Sequence, residues 1–150
     1  MILETIKNSK MEIAPPLFQE FSSEHGGEAV YFIDDQAVER SYRHGLTIYV
    51  NVRAEYWRNY IQFGVESWEE AIVMKFLHEA GHIYCGHSGT LDEKGDGTSL
   101  SRGASKEYQD KCEREAWQAA IAWKQSRSFE DLVCAFKDWV STHHYKNRTW

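Results

Sequence analysis

The segment from Glu69 to His87 constrains the fold most, because it contains an H-E-x-x-H motif from His78 to His82. In a helix, residues four apart lie on one face and one turn apart, so the imidazoles of His78 and His82 can bind one zinc ion. Glu79 lies beside that pair, where its carboxylate can take a proton from water activated by the metal. The motif is short, so its meaning depends on a helical context and on a third ligand downstream.

The residues around the motif predict a helix. Ser67 is a suitable N-cap, and Glu69 and Glu70 fall in the first turn, where carboxylates interact favourably with the helix dipole. Apolar residues follow at helical spacing, namely Trp68, Ala71, Ile72, Phe76, Ala80 and Ile83. Gly81 costs a helix about 1 kcal/mol relative to alanine, but a small residue there lets another backbone or a substrate approach closely. The alternative is a buried helix whose two histidines bind no metal.

A second predicted helix, from Lys106 to Gln125, offers the third protein ligand that a catalytic zinc site usually has. Glu113, Ala116 and Ala120 are spaced i, i+3 and i+7 and therefore form one stripe. The small residues of that stripe allow close packing against the motif helix, which brings the Glu113 carboxylate to the metal. Glu115 points about 160° away from the stripe and is the second choice. The alternative for Glu113 is an exposed helix acid.

The remaining patterns predict a small sheet and further helices. Strands are predicted over 28–34 and 45–52, and helices over 2–6, 17–23, 54–63 and 128–140, the last with Ser128 as its N-cap. Residues 37–42 fit either a strand or a helical turn. Residues 88–105 form a long loop rich in Gly, Ser, Thr and Asp, which is either a lid over a cleft or an insertion. The sequence thus predicts one α+β domain over residues 1–150, mostly helical, with a small sheet beside the motif helix.

Charge and hydropathy exclude several classes of protein. The net charge is −6, and nucleic-acid binding, which needs a basic face, is therefore not expected. The chain has no run of about 18 apolar residues, so no membrane-spanning helix is expected. The first residues lack the apolar segment of a signal peptide, so we expect no secretion signal.

The cysteines favour a cytoplasmic protein. Cys85, Cys112 and Cys134 are odd in number and cannot all pair with one another, which favours reduced thiols. None of them forms C-x-x-C, so a cysteine-based structural zinc site is not expected. Cys85 lies three residues after His82, within reach of the metal face, but a small buried hydrophobic residue is the preferred interpretation.

With these residues in place, the chain resembles the ImmA/IrrE-type metallopeptidases, a gluzincin-like branch of the zincins. The resemblance covers roughly residues 46–120, about half of the chain, through a strand ending in Ile48–Asn51, the segment Phe76–His82, His87, and Glu113-x-x-Ala116-x-x-x-Ala120. It implies a zincin-like fold, a zinc ion held by His78, His82 and Glu113, and Glu79 as the general base. Trp117 departs from the family, which usually has asparagine or a similar polar residue there.

These observations predict a zinc-dependent metallopeptidase that hydrolyses peptide bonds of a protein or peptide substrate, with Zn²⁺ as its cofactor. The resemblance implies a regulatory protein, such as a repressor, as the substrate. The alternative from another class is a regulatory or binding module of the same fold that binds zinc without cleaving peptide. A third reading is a helical structural protein without metal. Glu79 separates the first two, because a structural zinc site needs no carboxylate beside an open coordination position.

Three further expectations concern the surroundings of the motif. The strand over residues 46–52, if it edges the cleft, is expected to pair with an extended substrate. His87 does not fit the metzincin spacing, so we expect it to orient a ligand or to interact with the helix C-terminus rather than bind the metal. Four residues are candidates for stabilising the oxyanion, with a surface position as the alternative for the two histidines: Tyr108, His143, His144 and Tyr145.

Overall fold

The computed structural model describes residues 10–34, 41–53, 57–87 and 106–143. Along these residues the elements are β1 (Lys10–Ile13), α1 (Pro16–Glu24), β2 (Val30–Asp34), β3 (Tyr42–His44), β4 (Thr47–Asn51), a 3-10 helix (Trp57–Phe63), α2 (Trp68–Tyr84), α3 (Lys106–Lys124) and α4 (Arg127–Thr142). The prediction of a mixed, mostly helical α+β fold is confirmed. The predicted helix over 2–6 and the loop over 88–105 lie outside the described residues, and the single domain over 1–150 stays a prediction.

The sheet has the strand order β1-β2-β4-β3. β4 pairs in parallel with β2 and antiparallel with β3, while β1 adds to the other side of β2 in antiparallel orientation. The condition under which the strand over 46–52 was expected to pair with a substrate is therefore not met, because β4 has a neighbour on each side. In the described sheet the edges are β1 and β3. Sequence analysis did not predict β1, which is only four residues long.

Helix α2 passes through the centre of the hydrophobic core. Every residue from 71 to 77 is buried. The Phe76 ring packs edge-on against Phe18 of α1, with ring centroids 5.0 Å apart, and Phe18 packs in the same way against Phe32 of β2 at 5.1 Å. On α4, Phe136 packs against Trp68 at 5.3 Å. A fully buried side chain of this size contributes about 1.5–3 kcal/mol. Apolar packing therefore fixes the position of α2 without a contribution from its polar residues.

The ends of the helices agree with the sequence at α2 and differ elsewhere. The Ser67 hydroxyl accepts a hydrogen bond from the Glu70 backbone N–H at 3.2 Å, which confirms the predicted N-cap. Helix α4 was expected to be capped by Ser128, but it begins at Arg127, and Ser126 is the N-cap residue. The described part of the predicted helix over 54–63 is a 3-10 helix, which ends before Gly64 at a φ of 85°. No helix in the described ranges is both long enough and apolar enough to cross a membrane.

Candidate metal centre

Helices α2 and α3 touch backbone to backbone at Gly81. A Cβ atom added to Gly81 would lie 2.6 Å from the carbonyl oxygen of Ala116, a distance that real Cβ atoms do not show. Ala116 and Ala120 are fully buried in the same contact region. The predicted close packing of the two helices is thus confirmed. It places Glu113, nearly one turn before Ala116, next to the histidines of the motif.

The structure brings the three predicted metal ligands together. The Nε2 atom of His78 lies 2.9 Å from Oε2 of Glu113, and the Nε2 atom of His82 lies 2.9 Å from Oε1 of the same carboxylate. The two imidazole rings are 4.7 Å apart between centroids. One carboxylate from α3 therefore faces both imidazoles from α2.

The two separations that involve Glu113 are somewhat shorter than those across a zinc ion. At zinc–ligand lengths of about 2.0–2.2 Å in a tetrahedral site, an imidazole nitrogen and a carboxylate oxygen lie about 3.4 Å apart. The observed 2.9 Å separations thus require an outward shift of about half an ångström. Glu113 is 44% exposed at its side chain, so it has room to make that shift.

Glu79 is also close to the two histidines, so its role must be distinguished from that of a metal ligand. The donor atoms of His78, Glu79 and His82 all lie within 4.8 Å of one another. However, Glu79 Oε2 faces the Nδ1 atom of His78, at 3.3 Å, whereas both Nε2 atoms face Glu113. We therefore take Glu113 as the third member of the group that can hold a metal and place Glu79 beside it.

The charges of the centre suit a cation. Burial disfavours the charged form of His78, but hydrogen bonds to Glu113 and Glu79 outweigh it and raise the pKa of His78 to about 9. Burial likewise opposes ionisation of Glu113, yet the hydrogen bonds from both histidines hold the pKa of its carboxyl well below the usual range. Burial lowers the pKa of His82, and this effect outweighs its hydrogen bond to Glu113. A metal ion would replace the proton on His78, since metal ligands must be deprotonated.

Arg43 of β3 contacts the carboxylate oxygen of Glu79 that does not face His78. Its Nε atom lies 3.5 Å from Glu79 Oε1, and the two residues are only 3% and 5% exposed. Burial alone would raise the pKa of Glu79, but His78 and Arg43 lower it, so this carboxyl is ionised. The Nη1 atom of Arg43 is buried and has no hydrogen-bond partner within the described ranges. Sequence reasoning missed Arg43, because only the pairing of β3 with β4 brings it to the motif.

Trp117 orients His78. Its indole stacks on the imidazole with centroids 4.1 Å apart and an interplanar angle of 14°. The Phe63 ring stacks on the same indole at 4.1 Å and 8°. The residue that departs from the ImmA/IrrE pattern therefore contacts a candidate ligand directly and limits the rotation of its ring.

His87 lies behind His82, in the position that the sequence predicted. The Nδ1 atoms of these two residues are 3.0 Å apart, and His87 Nε2 lies 2.8 Å from Glu115 Oε1. Glu115, the second choice for the third ligand, thus contacts His87 instead of the two motif histidines. Cys85 was expected to be buried but is exposed, because α2 ends at Tyr84 and Cys85 is its C-cap residue.

The predicted oxyanion residues lie elsewhere or outside the described ranges. His143 contacts Glu12 of β1 at 3.2 Å and stacks on Trp139, and the hydroxyl of the exposed Tyr108 bonds to Cys112. His144 and Tyr145 are not among the described residues. Tyr60 of the 3-10 helix is a better candidate. Burial and then the charges of Glu79 and Glu113 raise its pKa to about 12, so its hydroxyl keeps its proton.

Comparisons of the chain with protein-family models, with curated proteins and with solved structures find no match. The resemblance to the ImmA/IrrE-type metallopeptidases therefore stays a prediction that rests on the motif and on Glu113. The geometry supports a coarser statement by itself. His78, Glu79 and His82 of α2 form a group that could hold a metal ion, and the Glu113 carboxylate of α3 lies 2.9 Å from each of the two histidines.

Proposed function

We propose that this protein is a zinc-dependent peptidase with a zincin-like arrangement of helices and sheet. One observation carries the proposal, namely that the Nε2 atoms of His78 and His82 meet the Glu113 carboxylate at 2.9 Å each. Two histidines and one glutamate are a ligand set of catalytic zinc, and three protein ligands leave a fourth position for water or substrate. The buried carboxylate of Glu79 stands beside this set.

Each residue of the centre has a chemical role in this proposal. A zinc ion, when bound, supplies a Lewis acid that polarises the scissile carbonyl and lowers the pKa of water. Glu79 acts as the general base that takes a proton from the attacking water and then gives it to the leaving amine. Arg43 is a positioning residue that contacts Oε1 from β3 and, after His78, favours the ionised form of Glu79 by lowering its pKa.

The edge strand β3 is the surface we propose for the substrate. In the described sheet, Tyr42–His44 pairs with β4 only, but Tyr42 and Arg43 are 0% and 3% exposed, so an extended peptide could add to this edge only after the atoms that cover it move. Arg43 lies in the middle of this strand and contacts Glu79. A peptide added to the edge would therefore pass close to the general base. This strand replaces residues 46–52, which sequence analysis had assigned to that role.

The proposal also names groups for the oxyanion. Arg43 Nη1 is a buried donor without a partner in the described part of the chain, and an unsatisfied buried donor costs about 1–3 kcal/mol. A developing negative charge on the substrate would satisfy it and would itself be stabilised. The Tyr60 hydroxyl, which keeps its proton, is the second group that we propose for stabilising the oxyanion.

One feature favours the alternative, a module that binds zinc and cleaves nothing. Both carboxylate oxygens of Glu79 have a neighbour, with Arg43 at 3.5 Å from one and His78 at 3.3 Å from the other. A general base needs a free oxygen to accept a proton. We favour the enzyme, because contacts of this length are weak and are easily exchanged for a water molecule.

The variant Glu79→Gln separates the two functions. Zinc content would be measured by elemental analysis, and cleavage with a library of quenched fluorescent peptides, for the parent chain, Glu79→Gln and the control Glu69→Gln in the first turn of α2. The enzyme proposal expects all three to bind zinc, while cleavage falls by about 10²–10⁴-fold in Glu79→Gln alone. Zinc binding without cleavage of any peptide by the parent chain would favour the binding module. Absence of bound zinc after zinc is supplied would refute both.

A further inference from the structure

We propose that His87, Cys112 and Glu115 form a second metal site, suited to zinc or another thiophilic divalent ion, next to the first centre. Its ligands come from the segment after α2 and from α3, and none of them belongs to the first set. The proposal does not depend on peptidase activity. Nothing in the sequence motif points to it, because the three residues are brought together only by the packing of α2 on α3.

The three side chains are already arranged around a common point. Their ligand atoms all lie within 4.8 Å of one another, and His87 Nε2 is 2.8 Å from Glu115 Oε1. Across a tetrahedral zinc ion, nitrogen and oxygen ligands lie about 3.4 Å apart, and separations that involve sulfur are about 0.2 Å longer. Small shifts of the three side chains, without a change of rotamer, would therefore let them bind an ion.

The site is sheltered from water on two sides. Cys112 is 1% exposed, and the His87 side chain is 5% exposed, while Glu115 is 40% exposed at its side chain. Cys112 and Glu115 are spaced i, i+3 and share one face of α3. The buried sulfur and imidazole provide the soft ligands, and the exposed carboxylate provides the side from which an ion can enter.

The chemistry of the ligands selects the class of metal. A thiolate, an imidazole and a carboxylate suit zinc and its neighbours in the first transition series, whereas magnesium and calcium prefer oxygen ligands only. The three protein ligands would leave the fourth position of a tetrahedral ion to a water molecule.

The two sites meet at one contact. His82, a ligand of the first centre, and His87, a ligand of the second, face each other through Nδ1 atoms 3.0 Å apart. When both imidazoles bind metal through Nε2, both Nδ1 atoms carry a proton and neither can accept, so a metal on His87 removes the hydrogen bond that orients His82. Groups in this position typically change metal affinity by about 10–100-fold, so filling the second site should alter the affinity of the first.

Cobalt(II) is the probe that distinguishes the two sites, because only the second one contains sulfur. The full chain, kept reduced, would be titrated with cobalt while the thiolate-to-cobalt charge-transfer band in the near ultraviolet is recorded. We expect two equivalents of cobalt and a band of this kind. Cys112→Ser should lose the band and one equivalent. Cys134→Ser is the matched control, because Cys134 is exposed on α4, and it should keep both.

A second variant is needed because Cys112 is buried, and Cys112→Ser could lose the band through misfolding alone. Glu115→Gln lies at the surface end of the site and should weaken the second equivalent by about tenfold while the band remains at saturation. One equivalent of cobalt without a band in the parent chain would refute the second site. A band that survives Cys112→Ser would refute it too. If peptides are cleaved but the charge-transfer band is absent, the proposed peptidase function stands and the second metal site is refuted. If the band is present but no peptide is cleaved, the second metal site stands and the peptidase proposal loses its support.

Discussion

The two halves of helix α2 are both buried, but by opposite kinds of neighbours. The first half, Trp68–Leu77, packs against aromatic side chains of α1 and α4. The second half, His78–Tyr84, packs against the α3 backbone at Gly81, and its buried Glu79 and His82 face Arg43 and Glu113. One helix thus carries in succession a mainly apolar interface, in which Lys75 is the buried charge, and a charged interface.

Because of this difference, we expect one half of the helix to determine stability and the other half to determine function. Apolar burial is favourable without exact partners, so the first half can anchor the helix on its own. Buried charges are different, because removing one partner leaves the other uncompensated at a cost of about 3–5 kcal/mol. We therefore expect the first half to determine the free energy of unfolding with or without metal, and the second half to determine metal affinity and chemistry.

The largest effect is expected from the apolar half. Phe76→Ala removes a ring that is fully buried between Phe18 and Phe21, so the free energy of unfolding should fall by about 3–5 kcal/mol. The loss should be the same with and without zinc, as measured by urea denaturation. Ile121→Ala on α3 is the control, because Ile121 is 37% exposed and should change stability far less. A loss that depends on zinc would show that the two halves are not separate.

The next effect concerns the charged half. Zinc at 100 times its dissociation constant should raise the free energy of unfolding by about 2.7 kcal/mol, because it binds the folded chain preferentially. Glu113→Gln should remove most of this gain, since its carboxylate is the group that meets both Nε2 atoms. Both chains would carry Cys112→Ser, so that the second cluster adds nothing. Equal stabilisation of the two chains would exclude Glu113 as a ligand.

The sequence predicted the helices of the candidate site because their signals are local. Capping by Ser67, the apolar spacing of α2 and the small residues of α3 are each readable within one or two turns. The stripe of Glu113, Ala116 and Ala120 also predicted a long-range contact, since alanines on one face of a helix let a neighbouring helix approach closely. The stripe thus predicts the position of Glu113 at the histidines, where the structure has it.

The sequence did not predict features that depend on distant pairing. β1 is four residues long, and its place in the sheet depends on β2, more than fifteen residues away. The central position of β4 and the arrival of Arg43 at Glu79 follow from strand order, which periodicity does not encode. The group of His87, Cys112 and Glu115 was missed for the same reason.

A smaller effect should come from the point where the helices touch. Gly81→Ala improves helix propensity by about 1 kcal/mol, but its Cβ would meet the Ala116 carbonyl oxygen at 2.6 Å. Overpacking against a backbone atom lies at the upper end of its usual range, about 3 kcal/mol, so the variant should be about 2 kcal/mol less stable overall and should bind zinc more weakly, because α3 moves away with Glu113. Thermal unfolding and zinc titration would measure both. Gly86→Ala, which meets no atom within 4 Å but has a φ of 76°, is the control for strain alone.

The smallest effect should come from Trp117, which touches the charged half without being charged. Trp117→Leu removes the stack on His78 but keeps an apolar side chain of moderate size. Freed from that ring, the imidazole should rotate more, and zinc affinity should fall about tenfold, or about 1.4 kcal/mol. Trp123→Leu is matched to it, because Trp123 lies on the same helix and packs on Phe21. Both variants should lose stability, but only Trp117→Leu should lose zinc affinity, and an equal loss in both would mean that the indole supports the fold and not the ligand.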